Sequence, residues 1–163
     1  MSIDGSLFTP TPHMIQEHSS HLTMKGPPKR VPTPSFVGRG KSSGAQTIGK
    51  RYENRVGKYL EALSYEMGWD FDPQPWFQWG NRYCQPDFLI HSPSGGTLLF
   101  EVKYTWMDTT NQLRMYRDLI RALGCSPITS ITICRNLTPG VDKSLIVRSF
   151  EDLKEGCIWP LRV

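Results

Sequence analysis

Two oppositely charged side chains lie inside an apolar stretch of this sequence. Glu101 and Lys103 are two residues apart within residues 98–104, a run whose composition predicts a central β-strand. Successive side chains of a strand point to opposite faces, so the two charges share one face. A carboxylate in such a strand loses its hydration unless a cation or a metal ion compensates it. The pair alone fits either a structural ion pair or part of a metal site.

A second carboxylate strengthens the case for a metal site. Asp87 follows Pro86 and precedes the apolar residues 88–90, one hairpin away from Glu101. An antiparallel return of the chain is expected to place Asp87 beside Glu101, and neighbouring carboxylates repel each other unless they bind a cation. Carboxylate and carbonyl oxygens are ligands of Mg²⁺ and Mn²⁺, and the Val102 carbonyl is a third candidate oxygen. The group therefore predicts metal-assisted hydrolysis.

Other candidate residues lie on two predicted helices. Glu53 lies at the margin of the apolar stripe of the first helix, from which it can approach the metal site; a solvated surface glutamate is the alternative. Gln112 and Tyr116 are one turn apart on the second helix, which suits them to hydrogen-bond the catalytic residues or a DNA strand. A core tyrosine with a solvent-facing glutamine explains that pair equally well. Arg114 lies between them and adds a positive charge.

Hydrophobic periodicity and turn residues predict the elements that position these side chains. Apolar residues at three- and four-residue steps predict a helix over residues 47–67, ended by Gly68. A second helix runs from N-cap candidates at residues 108–110 to Gly124. Strands are predicted over residues 71–79, 83–91, 97–105, 128–134 and 145–150, and a short last helix over 149–155. The expected fold class is α/β, with a mixed sheet flanked by helices in the order α-β-β-β-α-β-β.

Residues 1–45 differ from the rest of the 163-residue chain in composition and charge. They are rich in proline, glycine, serine and threonine and lack helical or strand periodicity, which predicts a flexible arm before a domain over residues 46–163. Seven of the 19 basic residues, but only two of the 15 acidic ones, precede Tyr52. The basic arm suits either contact with DNA phosphates or docking to a protein partner.

Membrane insertion and secretion are not expected from this sequence. No apolar run reaches the length of about 18 residues that a membrane span needs, and residues 1–12 lack the basic and apolar blocks of a secretory signal. The four cysteines are isolated from one another and lack zinc-ligand spacing. Free thiols in a reducing compartment are expected, meaning the cytoplasm, or a virion if the chain is phage-encoded.

Four short motifs, in order along the chain, resemble those of the PD-(D/E)XK nuclease superfamily. The superfamily signature is matched by Pro86-Asp87 followed, after a hairpin, by Glu101-Val102-Lys103. Residues 49–53 (GKRYE) are similar to the G-x-x-x-E motif of the RecB-like branch, and residues 112–116 (QLRMY) to its Q-x-x-x-Y motif. The resemblance covers about residues 47–135. Each motif is weak alone, but their ordered agreement is improbable by accident.

The resemblance implies a restriction-endonuclease-like core and a nuclease that hydrolyses DNA with Mg²⁺ or Mn²⁺. The implied catalytic residues are Glu53, Asp87, Glu101 and Lys103, and the implied metal ligands are Asp87, Glu101, the Val102 carbonyl and Glu53, directly or through water. The implied substrate-binding residues are Gln112, Arg114 and Tyr116. Lys103 would orient or deprotonate the attacking water, or stabilise negative charge on the phosphorus; the sequence leaves these roles open.

Aromatic residues near the strand ends bear on the substrate. They favour single-stranded ends or branched DNA, because aromatic rings stack on unpaired bases, although core packing explains them as well. The residues are Trp76, Phe77, Trp79, Tyr104 and Trp106. Two other functions fit the sequence: a nuclease-fold DNA-binding or assembly protein that docks into a larger complex, such as a virion, and a Holliday-junction resolvase. The last is normally a symmetric dimer.

Overall fold

The computed structural model describes residues 27–38, 40, 43–141 and 147–149. Within these residues the protein is mixed α/β, as predicted, with two helices and two β-sheets. The helices are α1 (Gly44–Met67) and α2 (Thr110–Ala122). The strands are β1 (Lys29–Val31), β2 (Asp70–Pro73), β3 (Trp76–Trp79), β4 (Arg82–Cys84), β5 (Phe88–His91), β6 (Thr97–Thr105), β7 (Ile128–Asn136) and β8 (Val147–Arg148).

The larger sheet contains five strands in the order β2-β5-β6-β7-β8. The first three pair antiparallel, and β6 pairs parallel with β7 because α2 carries the chain back between them. In the β5–β6 pair, Phe88 lies opposite Phe100. This register brings the residue before β5 next to the middle of β6, where Glu101 is located.

Two predicted strands are wrong in extent. Residues 71–79 form β2 and β3, and residues 83–91 form β4 and β5, and in both cases the two halves belong to different sheets. After β2 the chain leaves the larger sheet, forms the β3–β4 hairpin and returns at β5. Both halves of each segment are extended and contain an aromatic residue, which favours strands, so periodicity does not show the break. Within the last predicted strand, Val147–Arg148 forms β8, and residues 145–146 lie outside the described residues, as do residues 150–155 of the predicted last helix.

Strand β1 lies inside the segment predicted as a flexible arm. It pairs antiparallel with β3, with Val31 opposite Trp76, and completes a three-stranded sheet β1-β3-β4. Phe36 then packs edge-on against Trp76 and Tyr83. A three-residue strand is too short to show an alternating pattern, so the sequence prediction lacked it. Residues 1–26 lie outside the described residues, and the division between arm and domain stays a prediction.

Local side-chain bonds define the ends of α1. Ser43 and Gln46 form a capping box: Ser43 Oγ accepts from the Gln46 N–H at 3.2 Å, and Gln46 Oε1 accepts from the Ser43 N–H at 2.8 Å. The helix thus begins at Gly44, three residues before the predicted start. It ends at Gly68, as predicted, where φ of 67° requires the left-handed conformation that glycine adopts readily.

The five-stranded sheet separates two cores. Phe88 and Phe100 pack with buried residues of α1, whereas Leu89 and Leu99 pack with buried residues of α2. Because side chains alternate along β6, Glu101 shares the face of Leu99. The candidate carboxylates on the sheet therefore lie on the α2 side, while Glu53 comes from the helix on the opposite side.

Helix α1 packs closely against the sheet at Gly57. A Cβ atom there would lie 2.7 Å from Cζ of Phe88, closer than packed atoms normally come. A Cβ atom at Gly49, by contrast, would have no neighbour within 4 Å, because this turn of α1 precedes the buried residues of the helix, which begin at Tyr52.

Gly57→Ala is expected to lower the free energy of unfolding by roughly 1–3 kcal/mol, because the added methyl must displace the Phe88 ring in a packed core. Gly49→Ala is the matched control. It should raise the same free energy by up to about 1 kcal/mol, since alanine is a better helix former and the space is open. Urea denaturation of both variants measures the difference, and equal stabilisation of both would contradict the close contact.

Two global expectations can be compared with the described residues. Neither helix has the length and apolar character that a transmembrane segment requires. Cys84, Cys125 and Cys134 are free thiols, as predicted, and Cys157 lies outside the described residues.

Candidate active site

Asp87 and Glu101 are brought together where β5 begins. The register of β5 and β6 places the residue before Phe88 opposite Glu101. Asp87 Oδ2 accepts a hydrogen bond from the Val102 N–H at 2.7 Å, which holds this carboxylate against β6. The structure thus places side by side the two acidic residues that the sequence predicts as neighbours.

Glu101 is a buried carboxylate with one satisfied oxygen. The residue is 2% exposed, and Lys103 Nζ donates to its Oε1 at 2.8 Å, so the two charges share one face as expected. Glu101 Oε2 is buried and has no hydrogen-bond partner among the described residues. A buried carboxylate oxygen without a donor is costly, and this atom is available to a cation.

The local charges favour proton or cation binding by these carboxyl groups. Burial raises the pKa of Asp87 well above its usual range, and the nearby carboxylates of Glu101 and Glu53 raise it further. Burial also raises the pKa of Glu101, although Lys103 opposes the shift. Ionising both groups together is therefore unfavourable unless additional positive charge is present.

The pKa of Lys103 is also raised, which for a lysine favours the charged form. Burial acts to lower the pKa of this lysine, but the carboxylates of Glu101 and Asp87 outweigh burial, and the pKa is raised. In the metal-free protein the side chain is therefore an ammonium ion at neutral pH. A lowered pKa for this lysine would require the carboxylate charge to be neutralised first.

Glu53 reaches the edge of the site rather than its centre. Its Oε1 accepts from Lys50 Nζ at 3.0 Å and from the side-chain amide of Gln74. Glu53 is still close enough to raise the pKa values of Asp87 and Glu101. Within the described residues, no three acidic, histidine or cysteine side chains are close enough together to hold a metal ion. Two of the predicted side-chain ligands are thus grouped, with Glu53 at the margin.

Gln112 and Tyr116 form hydrogen bonds within the protein. Tyr116 is fully buried, and its hydroxyl donates to the Gln85 carbonyl at 3.0 Å while accepting from Gln112 Nε2 at 3.1 Å. The Gln112 amide also lowers the pKa of Glu101. These contacts favour a role in positioning the chain before Asp87, and substrate contact by either residue stays a prediction.

Sequence reasoning missed Gln74 and Gln85. The Gln74 N–H donates to the Asp87 carbonyl at 2.7 Å, and the Gln74 carbonyl accepts from Gln85 Nε2 at 3.0 Å. The side-chain amide of Gln74 also donates to Glu53, so Gln74 and Gln85 together connect α1 to the chain around Asp87. The available sequence signal was the position of Gln74 between Pro73 and Pro75, which indicates a turn but not its partners.

The predicted aromatic residues divide between core and surface. Trp76 and Trp79 are buried, which supports the packing explanation for both, whereas Tyr104 is exposed. Arg114, the remaining predicted substrate contact, is also exposed on α2.

A groove opens beside Gln74. This cavity has a volume of about 470 Å³ and is lined by Arg30, Val31, Pro32, Thr33, Pro73, Gln74 and Trp76. Arg30 is exposed and forms an ion pair with Asp72. The groove adjoins Gln74, which contacts both Glu53 and Asp87, while the acidic residues themselves do not line it.

The residues present fit a hard divalent cation. Asp87 and Glu101 offer carboxylate oxygens, the ligand type that Mg²⁺ and Mn²⁺ prefer. The unpartnered Oε2 of Glu101 and the raised pKa values of both carboxyls favour the binding of a cation by this pair.

Mg²⁺ is expected to raise the melting temperature more at pH 8 than at pH 5. Because the pKa values of Asp87 and Glu101 are raised in the folded state, that state binds protons more strongly than the unfolded state does. The free energy of unfolding therefore falls as the pH rises from the unfolded pKa of about 4 through the pKa of the folded state. The raised pKa of Lys103 adds stability that is lost only above about pH 10 and does not alter this window. A cation bound to the folded state relieves the penalty.

Thermal melts at both pH values, with Mg²⁺ or with EDTA, measure this difference. Asp87→Asn should flatten the pH dependence of the metal-free protein, because it removes one of the two coupled carboxyls. An equal Mg²⁺ shift at pH 5 and pH 8 would rule out binding by these groups.

The chain matches no protein-family model and no curated protein. The function is therefore inferred from the site itself. Its residues are the carboxylates Asp87 and Glu101, the neighbouring Lys103, and the glutamines Gln74, Gln85 and Gln112.

Proposed function

We propose that the protein is a metal-dependent deoxyribonuclease with a PD-(D/E)XK-type active site. The observation that carries the proposal is the pair of Asp87 and Glu101, which is desolvated, held on neighbouring strands and left with an unpartnered oxygen. Lys103 supplies a positive charge directly beside the pair. Two carboxylates with an adjacent lysine are a chemically complete set for hydrolysis of a phosphodiester with Mg²⁺ or Mn²⁺.

The arrangement of the larger sheet supports the proposal. The five-stranded sheet and its two helices follow the chain order α1, β2, β5, β6, α2, β7, β8. If β1 and the β3–β4 hairpin are treated as additions, this order is compatible with the α-β-β-β-α-β-β order that we propose for a restriction-endonuclease-like core. Asp87 directly precedes β5, and Glu101 lies on β6, the next strand of the larger sheet.

The protein groups have separable roles in this proposal. A bound Mg²⁺ would lower the pKa of water and neutralise charge on the scissile phosphate. Asp87, Glu101 and the Val102 carbonyl would hold the ion, and Glu53 would contribute from the margin of the site. The Val102 N–H keeps Asp87 oriented through its 2.7 Å bond. We assign Lys103, whose Nζ lies 2.8 Å from Glu101 Oε1, to stabilising negative charge on the phosphorus.

DNA with single-stranded ends or branches is the proposed substrate class. The groove beside Gln74 is lined by Arg30 and Thr33, whose side chains can bind phosphate oxygens. A flexible single strand can follow such a groove more easily than a rigid duplex can. Basic residues of the N-terminal segment add nonspecific attraction for the phosphate backbone.

The direct test is incubation with linear duplex, circular single-stranded and branched DNA, in the presence of Mg²⁺, Mn²⁺ or EDTA. Cleavage with either ion, abolished by EDTA, is the expected result. Cleavage of the circular substrate would indicate endonuclease action. Paired cuts at a junction by a protein of dimeric solution mass would favour the resolvase. DNA binding without any cleavage would reject the nuclease and favour the assembly protein.

A further inference from the structure

Gln74 has an unusual backbone conformation. Its φ is 49°, and it is the one non-glycine residue with positive φ in the described part of the chain. Residues other than glycine adopt this conformation rarely, because Cβ crowds the backbone. The surrounding contacts must therefore compensate for an unfavourable backbone geometry, which is a common property of functional sites.

The backbone N–H, the backbone carbonyl and the side-chain amide of Gln74 each form a hydrogen bond with a residue in or beside the acidic site. The backbone N–H donates to the Asp87 carbonyl at 2.7 Å, and the backbone carbonyl accepts from Gln85 Nε2 at 3.0 Å. The side-chain amide donates to Glu53 Oε1. Gln74 thus connects α1 with the residue that carries the carboxylate of β5.

Glu53 has two competing partners. Lys50, one turn earlier on α1, has a side chain that is 52% exposed, so its ion pair draws the carboxylate toward solvent. Exposed ion pairs of this kind are weak. Gln74 draws the same oxygen toward Asp87, and the Glu53 side chain is only 18% exposed. The direction of Glu53 therefore depends on Gln74.

We propose that Gln74 is a positioning residue that holds Glu53 against the Asp87–Glu101 pair and thereby sets the cation affinity of the site. This inference rests on the proposed nuclease function. The residue acts through the contacts of its amide with Glu53, while its backbone N–H keeps the turn before β5 in place. Gln85 supports the same turn from the side of Tyr116.

Gln74→Gly separates the side chain from the backbone. Glycine accepts positive φ and keeps the N–H and carbonyl bonds, so this variant removes the side chain with the amide that reaches Glu53 and leaves the backbone bonds in place. Gln74→Asn also tolerates positive φ, but its amide is one methylene shorter and is not expected to reach. Gln78→Ala is the matched control, because Gln78 is a partly buried glutamine of β3 whose amide donates to the Gly80 carbonyl at 3.1 Å.

The expected result is a loss of cation binding without a loss of folding. Gln74→Gly should melt within about 3 °C of the parent or above it. Its Mn²⁺ affinity, measured by titration of free Mn²⁺ in electron paramagnetic resonance, should fall roughly ten-fold. The turnover number for DNA cleavage should fall roughly ten-fold to a hundred-fold with little change in KM. Gln74→Asn should behave similarly, and Gln78→Ala should match the parent in all three measurements.

A double-variant cycle with Glu53→Ala tests whether Gln74 acts through Glu53. Once Glu53 is absent, Gln74→Gly should lower Mn²⁺ affinity by less than about two-fold more, because the amide has already lost its partner. Additive losses would overturn the assigned route, and parental Mn²⁺ affinity in Gln74→Gly would overturn the positioning role.

The two proposals fail in different ways. A parent protein that binds Mn²⁺ but cleaves no DNA would reject the nuclease, while a weaker Mn²⁺ affinity in Gln74→Gly would still support the role of Gln74. A parent that cleaves DNA together with a Gln74→Gly variant of parental activity and affinity would leave the nuclease in place and reject the role of Gln74.

Discussion

Glu101→Gln is expected to lower Mg²⁺-dependent DNA cleavage by more than about a hundred-fold while the protein stays folded. Replacing a residue that only supports a metal ligand typically costs about 10- to 100-fold, and Glu101 offers the unpartnered oxygen itself. Glutamine has nearly the same shape but neither a second anionic oxygen nor a charge that repels Asp87. The metal-free melting temperature at pH 8 should therefore be no lower than that of the parent, since the raised pKa of Glu101 shows that its ionised form is disfavoured.

Cleavage assays and thermal melts on the same preparations measure both effects. Asp87→Asn should show the same loss of cleavage. Asp118→Asn is the matched control, because Asp118 is an α2 carboxylate paired with Arg121 at 3.4 Å on the protein surface, and its removal should leave cleavage within about two-fold of the parent. A folded Glu101→Gln protein that cleaves DNA at the parental rate would refute the active-site assignment.

Lys103→Met should lower cleavage by roughly 100- to 1,000-fold, the range found when one group that stabilises transition-state charge is removed. Lys103→Arg should recover at least about ten-fold of this loss. Arginine keeps a positive charge beside Glu101 but stays protonated at all practical pH values, so it can stabilise charge and cannot accept a proton. The comparison therefore distinguishes the two roles that the sequence leaves open for Lys103.

Single-turnover cleavage by the parent and the two variants, at saturating Mg²⁺, provides the measurement. Mn²⁺ affinity should stay close to that of the parent in Lys103→Arg, which controls for damage to the carboxylates. If arginine and methionine give equal losses while Mn²⁺ still binds, charge stabilisation is excluded and proton transfer by Lys103 is favoured instead.

The central pairing of the candidate site could be predicted from the sequence because it depends on local geometry. The two-residue spacing of Glu101 and Lys103 puts both on one face of any strand, and they form a 2.8 Å ion pair. A short hairpin permits few registers, so Asp87 could be placed opposite Glu101. The end of α1 at Gly68 follows in the same way from a single residue type.

Sheet membership was decided by the tertiary structure. Residues 71–79 look like one strand, yet β2 and β3 pair with different partners. Strand pairing depends on hydrogen bonds between residues far apart in sequence, and local periodicity contains no information about them. The same reason explains β1, whose three residues form a strand only because β3 offers an edge.

The contacts around the acidic residues were likewise decided by the tertiary structure. The sequence identified Glu53 and Tyr116 as candidates, but their contacts with Gln74 and Gln85 join segments separated by 21 and 31 residues. A proline on either side marked Gln74 as a turn residue, and only the folded chain placed its amide against Glu53 and its N–H against Asp87. Residue types and spacing thus specified which groups can do chemistry, whereas long-range packing decided which of them meet and what orients them, because those contacts exist only after the chain has folded.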